Sequence, residues 1–552
     1  MKRVLKYKLL LLLALACFSW AFSSCEDNNS LPSANALFRP ILTSDNFTLG
    51  GTTITAKWNR YTGADWFDLM LVDAYGDTIK AKTDTTTYTF TNLTYDTQYT
   101  FMIRSHGDKS GLESKYFIYT DLSTNTYDTN LNVPTSADEI DTQVRVSWTG
   151  TTYDTLYVSQ KASTGKDSLI RKVPVPASAN TAGQLIVKNL KSNTTYKITA
   201  YYQGQYLGYR SYKTAVPQSF SGAVIDLRGR DSSTAYTTLS TDSLTAWLNA
   251  YPNQNLTIVL DGGVTYRMPQ INIPTTTGKI TFVTGLSLNG NANFAVSGSI
   301  IPYGSIGGLT FQKIFFTEAP LEGSSYAKGA ANFGGTYIIN CNQVGYHVGK
   351  LDFESCSIKY KRGIVRVQAT TTIDSLAINN CIVDSIGGYG VVNTSKVDQQ
   401  VNYVGINNST ISHAQKLLVC NSNTAMVGVN IANSTFSYDC TSGLYLFDFN
   451  SSAVTNGISI NNSIFGPSYD GNGICSYRIK SGTFTMTGCY CTGDLTWFVP
   501  TGGTSPTSAF GSEVTVLNGG AAAVWKNPTN SDFTVISSTV KSAKCGDPRW
   551  LQ

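Results

Sequence analysis

The C-terminal half of the chain repeats one short pattern of apolar and polar positions. Apolar and variable residues alternate, then a polar turn residue, a Cys or Ser and a further apolar position follow. Six segments carry the pattern; they read LDFESCSI, LAINNCIV, VGINNSTI, VNIANSTF, ISINNSIF and FTMTGCYC and start at Leu351, Leu376, Val404, Val429, Ile458 and Phe484. Counted from Phe353 onward, equivalent positions lie 25, 28, 25, 29 and 26 residues apart. This period, with one short strand per unit, predicts the stacked coils of a parallel β-helix.

A second family of strands follows the first at a similar period. Its members read GIVRV, YGVVN, KLLVC, LYLFDF and ICSYRI, so each coil has at least two sheet faces. Asparagines end the first strand at equivalent positions, namely Asn380, Asn408, Asn433 and Asn462. Stacked asparagines at a turn bond to the backbone and to each other, and we therefore assign these four a structural role.

The N-terminal half contains two units of alternating strands, residues 37–124 and 125–216. Each has a Trp that ends an early strand, Trp58 or Trp148, and a Leu six residues before a Tyr, as in Leu93 to Tyr99. The pair of units resembles fibronectin type III domains, in which a core Trp and a Leu-turn-Tyr corner recur. The resemblance implies two sandwiches that act as spacers.

Residues 217–515 are predicted to form the β-helix and residues 516–552 a C-terminal capping segment. The stretch SLTAWLNA from Ser243 is the best helical pattern in the mature chain, with Thr241 or Asp242 as its expected N-cap. A helix ahead of the first coil resembles the entry to right-handed, single-stranded β-helices of the pectin-lyase type. The predicted fold class is therefore all-β, with two sandwiches followed by a β-helix.

Residues 1–25 read as a secretion signal. The basic MKRVLKYK precedes an apolar run that is short for a membrane span, and SSC follows it. The small residues before Cys25 resemble a bacterial lipobox, which implies a lipidated Cys25, a tether over residues 26–36 and an outer-membrane location. The acidic Glu26 and Asp27 resemble the export tag of Bacteroidetes-type lipoproteins, which implies display on the cell exterior.

Charge and cysteine content narrow the function classes. The chain has 41 basic and 36 acidic residues, and four of the basic ones lie in the leader, so nucleic-acid binding is not expected. Nine of the eleven Cys lie beyond residue 340, and Cys356, Cys381 and Cys489 share a repeat position with serines. That position favours small-residue packing over a disulfide framework. With no CxxC pair and three His, we predict no metal site and no cofactor.

The second strand family carries the candidate ligand-binding residues. They are basic or aromatic, as a polyuronate would require, and comprise Lys359, Lys361, Arg362, Arg366, Tyr477 and Arg478. Tyr389 and Tyr445 are among the aromatic candidates for stacking on sugars. Surface charge without a ligand is the alternative for each basic residue. Strand parity leaves open which of them share a face.

No familiar catalytic set is recognisable. The outward columns of the first strand family carry acids on one strand alone, Asp352 and Glu354, which is a poor Ca²⁺ cage. Arg478-Ile479-Lys480 matches a polygalacturonase triplet, but the other motifs of that family are missing. His347 and His413 are isolated and are expected to be structural. Catalytic residues therefore stay unassigned.

The order of modules resembles that of uncharacterised Bacteroidetes surface lipoproteins encoded with polysaccharide-uptake systems, and the LFRP at Leu37 and the closing GDPRW add to the resemblance. It implies a non-catalytic cell-surface protein that binds an acidic, pectin-like polysaccharide, with a glycan-uptake complex in the outer membrane as a partner. One alternative is a β-helix lyase that acts on polyuronate, with Lys or Arg as base and Ca²⁺ as cofactor. A structural or adhesive surface protein is the other.

Overall fold

The computed structural model describes residues 36–109, 111–162, 165–229, 239–318, 336–394, 398, 400–498 and 509–552. The predicted signal segment, the lipidation site Cys25 and nearly all of the tether lie outside these residues. The described chain divides into two compact units. One comprises residues up to Leu131 with Thr149–Pro176 and Lys197–Arg210, and the other comprises Asn132–Trp148, Ala177–Tyr196 and Ser211–Gln552. The division therefore passes through the second sandwich.

The first sandwich has two antiparallel sheets. Its strands are β1 (Phe47–Leu49), β2 (Ile54–Lys57), β3 (Trp66–Asp73), β4 (Thr78–Thr83), β5 (Thr87–Phe90), β6 (Gln98–Gly107), β7 (Leu112–Glu113) and β8 (Phe117–Ser123). One sheet has the order β1-β2-β5; the other has the order β4-β3-β6-β7, with β8 also paired to β6. Trp58 packs edge-on against Phe67 at 5.3 Å, and the Thr94 amide donates to the Tyr99 hydroxyl at 3.2 Å. These contacts confirm the predicted fibronectin-like core and corner.

The second sandwich repeats this plan. Its elements are β9 (Val144–Ser147), β10 (Thr155–Lys161), β11 (Asp167–Pro174), helix α1 (Ala177–Ala182), β12 (Gln184–Val187), β13 (Thr195–Tyr202) and β14 (Gln205–Lys213). The sheet orders are β11-β10-β13-β14 and β12-β9. The Lys191 amide donates to the Tyr196 hydroxyl at 2.8 Å, which is the same corner as in the first sandwich.

Helix α2 (Thr241–Ala250) precedes the first full coil. Its N-cap is Ser240, one residue earlier than predicted, because the Ser240 hydroxyl accepts from the Ser243 amide at 3.1 Å. Leu244 and Leu248 are buried against the apolar interior of the coils. The helix therefore covers apolar surface at the start of the stack, as the sequence predicted.

The strands of the β-helix are β15 (Ala223–Asp226), β16 (Leu256–Leu260), β17 (Thr265–Met268), β18 (Ile271–Ile273), β19 (Thr276–Thr284), β20 (Ala292–Val296), β21 (Ile300–Pro302), β22 (Ile306–Gln312), β23 (Ile314–Glu318), β24 (Tyr337–Cys341), β25 (Tyr346–Glu354), β26 (Ser357–Val367), β27 (Thr371–Asn379), β28 (Ile382–Asn393), β29 (Gln400–Asn407), β30 (Thr410–Ala414), β31 (Leu418–Val419), β32 (Gly428–Ala432), β33 (Thr435–Ser437), β34 (Tyr445–Ala453), β35 (Ile458–Asn461), β36 (Ile464–Phe465), β37 (Cys475–Ser481), β38 (Phe484–Thr487), β39 (Cys489–Cys491) and β40 (Val514–Val516). They stack in parallel and form three walls. Wall A is β15-β16-β19-β22-β25-β27-β29-β32-β35-β38. Wall B is β17-β20-β23-β26-β28-β30-β33-β36-β39-β40, and wall C is β18-β21-β24 followed by the later halves of β26 and β28, then β31-β34-β37.

The six predicted repeat segments are consecutive rungs of wall A. Leu351 pairs with Leu376, and the pairing continues in register through Val404, Val429, Ile458 and Phe484. Ile431 is fully buried between Ile406 and Ile460. The structure thus confirms the predicted β-helix and its register.

A two-residue turn joins wall A to wall B in the first five of these six coils. Asn380, Asn408, Asn433 and Asn462 all have φ between 46° and 54°, a left-handed conformation that Asn tolerates better than most residues. The Nδ2 of Asn433 donates to the Oδ1 of Asn408 at 3.2 Å. The left-handed backbone conformation of this turn therefore explains why Asn recurs there.

The Cys or Ser position after this turn forms a ladder inside the coils. The Cys381 amide donates to the Ser409 hydroxyl at 3.0 Å, and the Ser409 amide donates to the Ser434 hydroxyl at 3.3 Å. The nine cysteines beyond residue 340 are all free and buried. These contacts bear out small-residue packing rather than a disulfide framework.

The C-terminal strap, residues 521–552, lies along wall B. It contains α3 (Ala521–Val524), β41 (Trp525–Asn527), β42 (Asp532–Val535), α4 (Ser538–Ala543) and a last 3-10 turn at Pro548–Trp550. Arg549 donates to the Asn380 carbonyl at 2.7 Å, and Trp550 Nε1 donates to Thr410 Oγ1 at 2.7 Å. The sequence predicts a capping segment over residues 516–552. The strap reaches back over several coils, and its aromatic side chains pack on the side of the stack.

Candidate functional site: an arginine and tyrosine cluster on wall C

Wall C places some of the predicted ligand-binding residues in one column. Arg366 pairs with Asn393, and the column continues through Val419 and Asp448 to Arg478. Arg366 and Arg478 therefore lie on one face of the wall, several coils apart. Their surroundings differ, and this difference decides which of them is available to a ligand.

Arg478 is already neutralised. Its Nε and Nη2 donate to the two carboxylate oxygens of Asp448 at 2.6 and 2.8 Å. The guanidinium also lies 4.6 Å from the centre of the Tyr445 ring. Because a bidentate pair satisfies the fork of an arginine, Arg478 is poorly placed to bind a further carboxylate.

Lys361 is not a surface residue, contrary to our expectation. Its exposed fraction is 0%, and its ammonium group donates to the Thr336 hydroxyl at 2.8 Å and to the Val296 carbonyl at 3.3 Å. The strand alternation breaks here, since Tyr360 has φ of +57° and the register of β26 on β28 shifts between Lys361 and Gly363. The shift turns Lys361 inward.

Lys359 belongs to a different wall. It lies in the first half of β26, and its ammonium group is 3.7 Å from the carboxylate of Asp384 on wall B. Asp384 also accepts from His413 Nδ1 at 3.0 Å and from the Ser531 hydroxyl of the strap at 3.1 Å. Lys359 and His413 therefore belong to the contact between the strap and wall B.

Arg362 and Arg366 converge on one tyrosine. Their guanidinium carbons lie 4.0 and 4.6 Å from the centre of the Tyr389 ring. Arg366 Nη1 donates to the Tyr337 hydroxyl at 2.7 Å, and the rings of Tyr337 and Tyr389 meet edge-on at 5.0 Å. In the described part of the chain, no carboxylate lies within ion-pair distance of either arginine. We call these four residues the Arg-Tyr cluster.

The pKa values of the two tyrosines in the Arg-Tyr cluster are shifted in opposite directions. The pKa of Tyr389 is lowered by a hydrogen bond from Tyr337, and the positive charges of Arg362, Arg366 and Lys416 lower it further. Burial raises the pKa of Tyr337. Arg366 donates to Tyr337, whose ring meets Tyr389 edge-on, and the negative charge of a phenolate is most easily held at Tyr389.

Two glycines make room for the cluster. Tyr337 on β24 pairs with Gly363 on β26, which pairs in turn with Gly390 on β28. A Cβ at position 363 would lie 2.9 Å from the Tyr337 ring, so a side chain there would displace the tyrosine. Tyr337 was not among the residues predicted from the sequence. The coil spacing between Tyr337, Gly363 and Gly390 was the available signal.

Tyr477 takes no part in the cluster. Its ring stacks on Phe484 with centroids 3.6 Å apart and planes inclined by 1°. The stack lies by a small pocket of about 140 Å³ that Met486 and Glu513 also line. Burial raises the pKa of the Tyr477 hydroxyl. Phe484 therefore covers one face of the ring that we expected to meet a sugar.

The acidic residues considered for a Ca²⁺ site have protein partners. Asp352 lies 3.0 Å from Lys350, and Glu354 accepts from the Asn380 side chain at 2.6 Å. Within the described residues, no group of three or more His, Cys, Asp or Glu side chains is arranged to hold a metal ion.

The helices in the described part of the chain are all too short or too polar to span a membrane.

Comparison with known proteins matches parts of the chain. The model of a family described as Domain of unknown function (DUF5123) matches residues 429–550, which include the last coils and most of the strap. A two-domain fibronectin type III segment of chicken tenascin is 18% identical over 32% of this chain and 97% of that chain, with a TM-score of 0.18. The FN1–FN3 domains of chicken CNTN1 are 14% identical over 32% of this chain and 65% of that chain, with a TM-score of 0.14. No curated protein matches.

Proposed function

We propose that this chain is a non-catalytic glycan-binding protein that binds an acidic, pectin-like polysaccharide on wall C. One observation carries the proposal. Arg362 and Arg366 flank Tyr389, and neither has a carboxylate partner in the described residues. An arginine fork binds a carboxylate through two parallel hydrogen bonds, and the carboxylate of a uronic acid has the matching charge and geometry.

The cluster is also pre-organised. The stacking on Tyr389 and the hydrogen bond to Tyr337 restrict the rotamers of both arginines before a ligand arrives. Binding then costs less side-chain entropy than it would for two mobile arginines. The coils stack in register along wall C, which suits an extended polymer better than a compact ligand.

The test is the affinity of residues 26–552 for polygalacturonate, measured by gel retardation and calorimetry. Arg362→Gln and Arg366→Gln should each weaken binding about 10- to 100-fold, since a hydrogen bond to a charged group contributes roughly 1.5–3 kcal/mol. Lys541→Gln removes the same charge from an exposed position on α4 and should bind like the wild type. Equal affinity in all four proteins would refute the site.

A polysaccharide lyase is the second candidate, and the lowered pKa of Tyr389 favours it. The Tyr389 phenolate would take the C5 proton of a uronate held by the two arginines. The C5–H electron pair would form the C4–C5 double bond, and the C4–O bond would break, with its oxygen leaving with a proton from solvent. This route uses a tyrosine in place of the Lys or Arg base expected from the sequence.

Ultraviolet absorbance separates the two candidates, because elimination leaves a conjugated double bond. If the protein is a lyase, absorbance rises on polygalacturonate, and Tyr389→Phe abolishes the rise while binding persists. Binding without any rise, with and without Ca²⁺, supports the binder. An absence of both binding and product would favour the adhesive alternative.

We also propose that a lipid on Cys25 anchors the chain in the outer membrane, facing outward. The support is the leader sequence with small residues before Cys25 and acidic residues after it. Cys25→Ala should move the full-length protein from the membrane fraction to the soluble fraction of the cells. Protease added to intact cells should degrade the wild type, and full protection would contradict outward display.

A further inference from the structure

Wall A carries an elongated groove that the Arg-Tyr cluster does not share. Its volume is about 380 Å³, within the range of small-ligand sites. Its floor is formed by the small residues Ala377, Gly405 and Gly428; Ala377 and Gly405 are half-buried, whereas Gly428 is buried. Ala377 and Gly405 are paired on adjacent rungs, so this one outward column has no large side chain on two successive coils.

One aromatic side chain borders this floor. Tyr403 is 47% exposed and pairs with Gly428 on the next coil. A Cβ at position 428 would lie 3.5 Å from the Tyr403 ring, so the ring leans over the glycine. A half-exposed ring beside a flat floor offers an apolar face together with a polar hydroxyl, a combination suited to a ligand that is itself amphipathic.

The groove is long, and its lining has a single charged side chain. Its lining residues come from five successive coils, from Lys350 on β25 to Ser459 on β35. Four intervals of about 4.8 Å give a length of about 19 Å, which fits a short oligomer. Lys350 is the charged lining residue, and Asp352 neutralises it at 3.0 Å. The other polar groups of the lining include the amides of Asn430 and Asn456.

The hydrogen bonding of the sheet further restricts the class of ligand that the groove can bind. Each strand that lines the groove is hydrogen-bonded on both sides within wall A, so its backbone has no open edge for an added peptide strand. The exposed lining is mostly apolar, so a ligand would pack on the small-residue floor and the tyrosine ring, and the amides and hydroxyls would supply hydrogen bonds. We propose that this groove is a second glycan site and that it binds a neutral oligosaccharide, whose hydroxyls match the amides and whose ring faces match Tyr403.

The proposal does not depend on the Arg-Tyr cluster, and its test uses a variant that fills the groove. A Cβ at Gly405 would meet its nearest atoms at 3.6 and 3.9 Å, which is ordinary contact, and Gly405 has no positive φ. Gly405→Val should therefore fold normally, since Val suits a strand, while it occupies the floor. Tyr403→Ala removes the ring. Tyr303→Ala, at a tyrosine 50% exposed outside the groove, is the matched control.

Gel retardation with soluble xylan, arabinan and galactan is the assay, and thermal melting checks the fold of each variant. We expect retardation by at least one of these neutral polymers, a loss of at least 10-fold in affinity in Gly405→Val and Tyr403→Ala, and wild-type binding in Tyr303→Ala. Arg362→Gln should also bind neutral polymers normally, which separates this site from wall C. No retardation by any neutral polymer, or unchanged binding in folded Gly405→Val, would overturn the proposal.

Discussion

Replacing Thr410 with Val should loosen the C-terminal strap without unfolding the coils. The buried Thr410 hydroxyl donates to Asp547 at 2.8 Å and accepts from Trp550 Nε1 at 2.7 Å. Val keeps the shape and removes both hydrogen bonds. The bond to the carboxylate contributes roughly 1.5–3 kcal/mol and the neutral one roughly 0.5–1.5 kcal/mol, so the strap should lose about 2–4 kcal/mol.

Hydrogen exchange followed by mass spectrometry measures this loss of strap stability directly. If the strap opens locally, amides of residues 532–550 should exchange about 30- to 700-fold faster in Thr410→Val, because each 1.4 kcal/mol is a factor of ten. Thr485→Val makes the same chemical change at an exposed position of wall A and should leave the strap unchanged. Equal protection of the strap in both variants would refute its docking on wall B.

Three further predictions test the coils and the buried charges. Ile431→Asp should lower the free energy of unfolding in urea by about 3–5 kcal/mol, because it buries an unpaired charge. Asn430→Asp, at the exposed neighbouring position, should change that free energy by less than about 0.5 kcal/mol. Similar losses in the two variants would contradict the register of wall A. Cys381→Ser should keep the stability of the wild type, because Ser occupies the same ladder position on adjacent coils. Cys381→Val should lower the free energy of unfolding by roughly 1–3 kcal/mol in the same assay. A Val variant more stable than the Ser variant would argue against the ladder. Burial raises the pKa of Asp384, but His413, Lys359 and Ser531 outweigh it and hold the pKa below 3.8. The ionised carboxylate therefore adds stability above pH 3.8, and this stability is lost as the pH falls through the lower pKa of the native state. In Asp384→Asn, the free energy of unfolding should fall less steeply with decreasing pH at the acidic end of the curve. An unchanged pH dependence would refute the role given to Asp384.

Sequence reasoning worked where one local pattern sets the structure. Alternation of apolar residues fixes which side chains of wall A point inward, and a one-residue slip would expose all of them. Wall C was recognised for the same reason. Wall B was missed because strands such as β33 and β36 are short and follow the Asn turn directly, so each merges with the preceding strand in the sequence pattern.

The candidate site was predicted less well, for reasons of geometry. Strand parity left the orientation of Lys361 open, because β26 bends from wall B into wall C and its alternation changes at Tyr360. The neutralisation of Arg478 by Asp448 connects residues 30 positions apart, and the contacts of the strap span more than 130 positions. Contacts of this range leave no periodic signal.

The central claim is that Arg362 and Arg366 recognise carboxylates, and substrate chemistry tests it most directly. The measurement is the affinity of residues 26–552 for de-esterified homogalacturonan relative to its fully methyl-esterified form, at matched chain length and ionic strength. The two polymers share a backbone and differ in free carboxylates. We predict at least tenfold tighter binding of the de-esterified polymer and loss of that preference in the Arg362→Gln, Arg366→Gln double variant. Equal affinity for both polymers would contradict the account.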